Sequence, residues 1–171
     1  MATQAPPQTD TLAPNERRER ARKEIKQLIE NRNTVLGQYY SLIEQIEDMD
    51  NLDHTQESLQ EFCQELVDYL AIGHFELYRR IEEGNERRDE IIKLAQKIMP
   101  VISTTTQVAV AFNDRYDHNT QFDKALIKQL PAQLTQLGEH LATRIDLEDK
   151  LINTLLNSSN SNRANLQAAS L

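Results

Sequence analysis

Residues that build turns, disulfides and thiolate metal sites are scarce in this sequence. Its 171 residues include four glycines, five prolines and one cysteine, and no Asn-Gly or Asp-Gly pair occurs. Hairpins depend on such turns, so the composition argues against a sheet protein. The single cysteine, Cys63, cannot form a disulfide within the chain and cannot build a zinc site from thiolates.

Long apolar runs and targeting signals are also missing. No run approaches the roughly 18 residues that span a bilayer. The N-terminal segment lacks the basic start and apolar core of a secretory signal, so we expect a cytoplasmic protein. Acidic residues outnumber basic ones by 27 to 19, a formal charge of -8. This balance argues against nonspecific binding to nucleic acid or an anionic membrane and favours a basic partner.

Apolar residues recur at three- and four-residue spacing between residues 15 and 157. This pattern predicts an all-α, single-domain antiparallel helical bundle of about four long helices plus short ones. Small polar residues at 1–14 and 158–171 predict a disordered N-terminal arm and a disordered C-terminal tail.

The helix boundaries are predicted from caps, glycines and prolines. The first helix covers about 15–46, and the second ends at Gly84, where a left-handed glycine can stop a helix. The third is expected to end at Pro100. Residues 101–117 are rich in β-branched side chains, but a lone strand has no partner, so we interpret them as helix. After a short helix, the last helix is expected to start at Pro131 and end near Asn157.

Charged residues interrupt two apolar stripes. Arg32 lies in the first stripe, with Ile25, Ile29, Leu36, Tyr40 and Ile43, and Glu148 lies in the last, with Leu134, Leu137, Leu141, Ile145, Ile152 and Leu155. A buried charge needs a partner, so we expect Arg32, His74 and Glu148 to form a buried polar cluster. We favour a structural pair that sets helix register; a pocket for a small ligand or metal is the alternative.

Signatures of catalysis and of dinuclear metal sites are absent. Neither His74 nor His140 follows a Glu at the three-residue spacing of diiron bundles. A single ion held by Asp68, His74 and Glu148 stays conceivable. There is no phosphate loop, dinucleotide fingerprint, HExxH or GxSxG motif. Cys63 lies on an apolar helix face, where thiols are usually inert. We therefore predict a non-enzymatic protein without a cofactor.

A basic run, NERRERARKEIK, lies near the start of the first helix. It could resemble a nucleic-acid patch, but acidic residues alternate with the basic ones and no aromatic residue accompanies them. We interpret it as a solvated helical surface with ion pairs along the helix.

The second helix has two apolar faces on a helical wheel. Leu59, Leu66, Leu70 and Leu77 define the core face, and Gln64, Asp68, Ala71 and Phe75 lie opposite, with Val67, His74 and Tyr78 between the two. Either this helix is central and covered on both sides, or its second face receives a partner helix. In the second case Phe75 and Tyr78 would be aromatic anchors, and Asp68 would attract a basic side chain.

Four blocks of the sequence resemble the Rsd/AlgQ family, over about residues 22–157 and in the same order. FCQELVDYLAIGHFELYRRI, from Phe62 to Ile81, is similar to the family pattern FCQxLVDYxSxGHFxxYxxI. RNTVLGQYY from Arg32, VAVAFNDRYD from Val108, and LGEHLATRIDLEDKLI from Leu137 are similar to further family segments. The family's N-terminal arm is shorter than the one in this sequence.

The resemblance implies an all-helical regulator of the primary, sigma-70-type sigma factor of gamma-proteobacteria. Such a protein sequesters the C-terminal, promoter-reading domain of free sigma and favours alternative sigma factors when growth slows. That domain is basic because it reads DNA, which suits an acidic binder. The predicted partner-binding residues are Gln64, Asp68, Ala71, Ile72, Phe75 and Tyr78. No direct contact with nucleic acid or membrane is expected, and a second regulatory protein stays open as a further partner.

Overall fold

A computed structural model describes residues 13–47, 52–84, 86–118 and 120–168, and these form helices with no strand among them. The elements are α1 (Pro14–Glu47), α2 (Leu52–Ile72), a π-helical segment (Gly73–Tyr78), α3 (Arg79–Glu82), α4 (Asp89–Tyr116) and α5 (Lys124–Ala168). The expected all-α fold is confirmed. Residues 1–12 of the predicted arm (1–14) lie outside the described residues, and α1 begins at Pro14.

The second helix of the bundle is continuous through three elements. Ile72 and Arg79, on either side of the π-helical segment, both have right-handed helical backbone angles. The Arg79 N–H donates to the carbonyl of His74, five residues back, which is the π-helical pattern. Gly84 has a φ of 72° just after α3, so the predicted left-handed stop is confirmed.

Two proline-based boundaries are wrong, because Pro100 lies inside α4 and Pro131 inside α5. A proline leaves the carbonyl four residues earlier without its helical donor. For Pro100 that carbonyl belongs to Gln96, and both residues are exposed, so water can satisfy it. Residues 101–116 accordingly continue α4, as the helical interpretation of that segment predicted.

The two ends of α5 also differ from expectation. The helix begins at Lys124, where the carboxylate of Asp123 accepts a hydrogen bond of 2.7 Å from the Leu126 N–H and acts as an N-cap. At the other end it runs to Ala168, so the predicted end near Asn157 is wrong and the predicted tail is helical to that point. Extending an existing helix costs far less than nucleating one, which allows polar residues to continue it.

The four long helices close a ring around one core. Helix α1 packs on α2, α2 on α4, α4 on α5, and α5 on α1. The centre of the buried stripe of α1 is Leu28, Val35 and Leu42. Tyr40, predicted in that stripe, is 64% exposed, and its neighbour Tyr39 turns inward.

A close crossing joins α1 to α5. The Tyr39 hydroxyl donates to the carbonyl of Leu134 at 2.8 Å. A Cβ at Gly138 would overlap this hydroxyl, so the crossing requires glycine there. The hydrogen bond also explains why Tyr39 is the tyrosine that turns inward.

Two glycines should respond oppositely to alanine. Gly84→Ala places a side chain at a φ of 72° and should lower the free energy of unfolding by about 1 kcal/mol. Gly37→Ala, in the middle of α1 with nothing within 4 Å of the new Cβ, should raise it by about 0.5–1 kcal/mol. Urea denaturation measures both changes. Two changes of the same sign would contradict the left-handed helix stop at Gly84.

Candidate functional site

A buried ion pair on α5 lies at the centre of the bundle. Arg144 and Glu148 are one helical turn apart, and Arg144 Nε lies 2.9 Å from Glu148 Oε1. Their side chains are only 1% and 0% exposed. Because removing two charges from water is costly, such a pair needs further hydrogen bonds to its remaining atoms.

Two tyrosines of the second helix supply hydrogen bonds to Glu148. The Tyr69 hydroxyl donates to Oε2 at 2.6 Å, and the Tyr78 hydroxyl donates to Oε1 at 2.7 Å. Burial, together with the Glu148 charge, raises the pKa of both phenols, so each stays a proton donor. The Arg144 guanidinium also lies 5.3 and 5.5 Å from the two ring centroids, within cation–π range.

The same cluster reaches the other two long helices. On α4, Thr106 Oγ1 lies 2.8 Å from Arg144 Nη1 and Thr105 Oγ1 lies 3.4 Å from it. On α1, Arg32 Nη1 donates to Asp149 Oδ1 at 2.7 Å and lies 4.0 Å from Glu148 Oε2. The polar cluster therefore ties all four long helices together.

The predicted cluster of Arg32, His74 and Glu148 is only partly assembled. Arg32 does approach Glu148, but its shorter contact is with Asp149. His74 is exposed and packs its ring against Phe75, so its expected place in the cluster is wrong. The principal cation, Arg144, was missed by sequence reasoning, although it lies in the stripe between Leu141 and Glu148 at three- and four-residue spacing.

The ligand or metal pocket considered for Arg32, His74 and Glu148 has no counterpart in this geometry. The carboxylate oxygens of Glu148 already accept hydrogen bonds from Tyr69, Tyr78 and Arg144. Across the described residues, no group of three or more His, Cys, Asp or Glu side chains is placed to hold a metal ion. Cys63 is buried, and burial raises the pKa of its thiol to about 12, as for an inert packing residue.

Gly73, the first residue of the π-helical segment, lets the second helix approach the cluster closely. A Cβ built there would lie 3.1 Å from Arg144 Nη2 and 3.3 Å from the Tyr78 ring. Any larger side chain would displace the guanidinium or the phenol. The π-helical segment is therefore fixed from below by α5, while its outer side carries His74 and Phe75.

The outer face of the second helix is open to solvent. Gln64 and Asp68 are exposed, and Gln64 Nε2 donates to Asp68 Oδ1 at 3.1 Å. Phe75 is 57% exposed, and Val67, about two turns earlier on the helix, is exposed as well. Ala71 is half-buried. These residues form one continuous outer surface, which we call the α2 face: Gln64, Val67, Asp68, Ala71, His74 and Phe75.

Two residues predicted to bind a partner have inward positions. Tyr78 is 2% exposed and bound to Glu148, so it is not a surface anchor. The wheel misplaced it because a wheel of 100° per residue does not hold across a π-helical segment. Ile72 is half-buried and packs against the core, which leaves only part of its side chain at the edge of the α2 face.

These features describe a helical binding protein: a bundle fixed by a buried ion pair, with an apolar and acidic helix face left open. The chain matches the family described as "Regulator of RNA polymerase sigma(70) subunit, Rsd/AlgQ" over residues 9–156. It belongs to that family. In the described part of the chain, no helix is long and apolar enough to cross a membrane.

Curated relatives agree with the family assignment. A "Regulator of sigma D" from Yersinia pseudotuberculosis serotype O:1b is 40% identical over 96 residues, 56% of each chain. The proteins of that name from Yersinia enterocolitica and Salmonella arizonae are each 38% identical, over 98 and 99 residues, covering 57% of this chain and 58% and 59% of theirs. The match thus spans little more than half of these relatives. No solved structure matches the chain.

The buried carboxylate should be essential to stability. Glu148→Ala leaves Arg144 buried without its counter-charge and should cost about 3–5 kcal/mol of unfolding free energy. Its neighbour Asp149 is the matched control, because it also pairs with an arginine but its side chain is 49% exposed. Asp149→Ala should cost about 1 kcal/mol or less. Chemical denaturation measures the free energy of unfolding of both variants. Equal losses would contradict the conclusion that the buried pair of Glu148 and Arg144 is more important to stability than the exposed pair of Asp149.

Proposed function

We propose that this protein is an anti-sigma factor that binds the C-terminal domain of the primary sigma subunit through the α2 face. Membership of a family described as regulators of the sigma(70) subunit supports the partner. The single observation that supports the surface is Phe75, a large aromatic side chain left 57% exposed on a helix whose opposite face is buried in the core. Sigma binding would cover it.

The shape and composition of the α2 face suit a protein partner. Aromatic residues surrounded by smaller contacts are typical of interface hot spots. Ala71 and Val67 lie four and eight residues before Phe75, about one and two turns along the same helix. The Phe75 ring makes an edge-to-face contact with His74, 5.1 Å between centroids. Because Gly73 and Tyr78 fix the same π-helical segment to α5, Phe75 would be presented from a rigid support, which lowers the entropic cost of binding.

Charge gives the α2 face a direction. Asp68 is exposed about two turns before Phe75, with Gln64 as its hydrogen-bond partner. Across a partly desolvated contact, its carboxylate could accept paired hydrogen bonds from an arginine of the partner. The chain as a whole carries a charge of -8, and a DNA-reading domain is basic, so long-range attraction would speed their association.

The proposed mechanism is stoichiometric occlusion. An anti-sigma protein that covers the promoter-reading domain competes with RNA polymerase and with DNA for the same sigma molecule. Binding alone accomplishes this, so no catalytic group is required. The result is less housekeeping holoenzyme and more polymerase for alternative sigma factors.

Truncating the α2 face should weaken sigma binding without unfolding the bundle. Asp68→Ala and Phe75→Ala should each raise the Kd for the isolated C-terminal sigma domain by about tenfold or more, as expected for hot-spot positions. Both side chains are exposed, so the free energy of unfolding should change by about 0.5 kcal/mol or less. Calorimetric titration at low salt gives the Kd, and urea denaturation gives the stability.

Tyr40→Ala provides the matched control for Phe75→Ala. It removes an aromatic ring of similar exposure, 64% against 57%, from α1 rather than from the second helix. Its Kd should equal that of the wild type. Absence of wild-type binding at low salt would reject the anti-sigma proposal. If the wild type binds and both α2-face variants bind equally well, sigma would remain the partner but the α2 face would be rejected as the binding surface.

A further inference from the structure

The structure contains a groove of about 230 Å³ between helices of the bundle. Its walls are the first turns of α1, the end of the second helix, residues 86–88 and the late part of α5. No residue of the α2 face lines it. Its volume falls slightly below the usual range for binding sites of drug-sized ligands, so it suits a small molecule rather than a protein segment.

Arginines dominate the polar lining of this groove. Five line it, Arg17, Arg18, Arg22, Arg80 and Arg88, against three glutamates. The lining therefore carries a net charge of +2 in a chain whose formal charge is -8. A positive concavity in an acidic protein attracts anions locally although the whole molecule repels them.

Two of the five arginines are engaged with protein carboxylates. Arg88 pairs with Glu86 through Nε–Oε1 and Nη2–Oε2 contacts of 2.9 Å, and its Nη1 donates to the Leu155 carbonyl at 3.3 Å. Arg80 Nη1 lies 3.9 Å from Glu24 Oε2. Arg80 and Arg88 therefore make contacts within the protein, and the arginines of α1 are the better candidates for binding an anion.

The three arginines of α1 are differently placed. Within the described residues, Arg17, Arg18 and Arg22 have no carboxylate within 4.0 Å. The ion pairs expected for this basic run do form at Arg20–Glu24 and Lys26–Glu30. Arg18 and Arg22 are four residues apart and so lie on the same face of α1. Arg17 also lines the groove. Arg17 and Arg22 are also exposed, which agrees with the interpretation of this run as a solvated helical surface.

The base of the groove is apolar. Leu77 is buried, and Ile25, Ile81 and Leu155 are half-buried beside it. A free inorganic anion would leave this surface wet, whereas a ligand with a flat or apolar portion would cover it. A guanidinium can both bind phosphate oxygens through its paired N–H groups and stack on a planar ring.

We propose that this arginine-lined groove binds a small organic phosphate, one that joins a phosphate group to a planar or apolar portion. The phosphate would lie between Arg18 and Arg22, and the planar portion would cover Ile25 and Ile81. Nucleotides have this chemistry. The groove is too small for a nucleic-acid duplex, and the proposed sigma contact does not involve it.

The test is a calorimetric titration of the full chain at low salt with four probes: adenosine diphosphate, phenyl phosphate, inorganic phosphate and phenol. We expect saturable one-to-one binding of at least one of the first two. Inorganic phosphate and phenol should bind at least about tenfold more weakly, because each meets only half of the groove. If neither organic phosphate binds saturably, or if inorganic phosphate binds equally well, the proposal is overturned.

Adjacent residues of α1 supply a matched pair of variants. Arg22→Gln removes a charge that lines the groove, whereas Lys23→Gln removes an exposed charge that does not. Arg22→Gln and Arg18→Gln should weaken organic-phosphate binding about tenfold, and Lys23→Gln should leave it within about twofold. Circular dichroism checks that each variant folds. Equal weakening by Arg22→Gln and Lys23→Gln would show nonspecific charge attraction and reject the site.

Discussion

The carboxylate of Glu148 is the constraint on which the rest of this structure depends. It is fully buried at the middle of a four-helix ring and accepts hydrogen bonds from Arg144, Tyr69 and Tyr78. A buried ion pair adds little stability compared with an apolar contact of equal volume, but breaking it is expensive. Any packing that separated Glu148 from its donors would leave a charge unpaired. The pair therefore favours the arrangement of the helices that brings Arg144, Tyr69 and Tyr78 to the carboxylate.

This selection extends to the protein surface through the π-helical segment. Gly73 lies against the Arg144 guanidinium, and Tyr78 bonds to Glu148, so both ends of the segment are fixed from inside. The residues between them include His74 and Phe75, which face solvent. The buried cluster and the proposed sigma-binding face are thus two sides of the same few turns. Short π-helical segments within α-helices occur frequently at functional sites.

Arginine has three different physical roles in this molecule. Arg144 is buried and neutralises a carboxylate, and Arg88 braces a wall by binding Glu86 and a main-chain carbonyl. Arg18 and Arg22 have no described carboxylate partner and face a small groove. The same chain presents acidic Asp68 on its α2 face. The overall charge of -8 therefore does not predict the local charge of the α2 face or of the groove, because each depends on which charged side chains lie close together.

Sequence alone determined the fold class, the helix stop at Gly84, and the presence of a buried charge at Glu148, since each depends on periodicity or on a local backbone preference. The family blocks likewise indicated a sigma regulator. Only the tertiary structure decided that Arg144 is the principal partner of Glu148, that Tyr78 turns inward and that His74 does not. It also decided that Pro100 lies within a helix. Helical periodicity shows which side of a helix is apolar, but the pairing of side chains between helices depends on how the helices cross. Likewise, a proline is tolerated inside a helix where water can reach the carbonyl that it leaves without a donor, and only the tertiary structure shows which carbonyls are exposed.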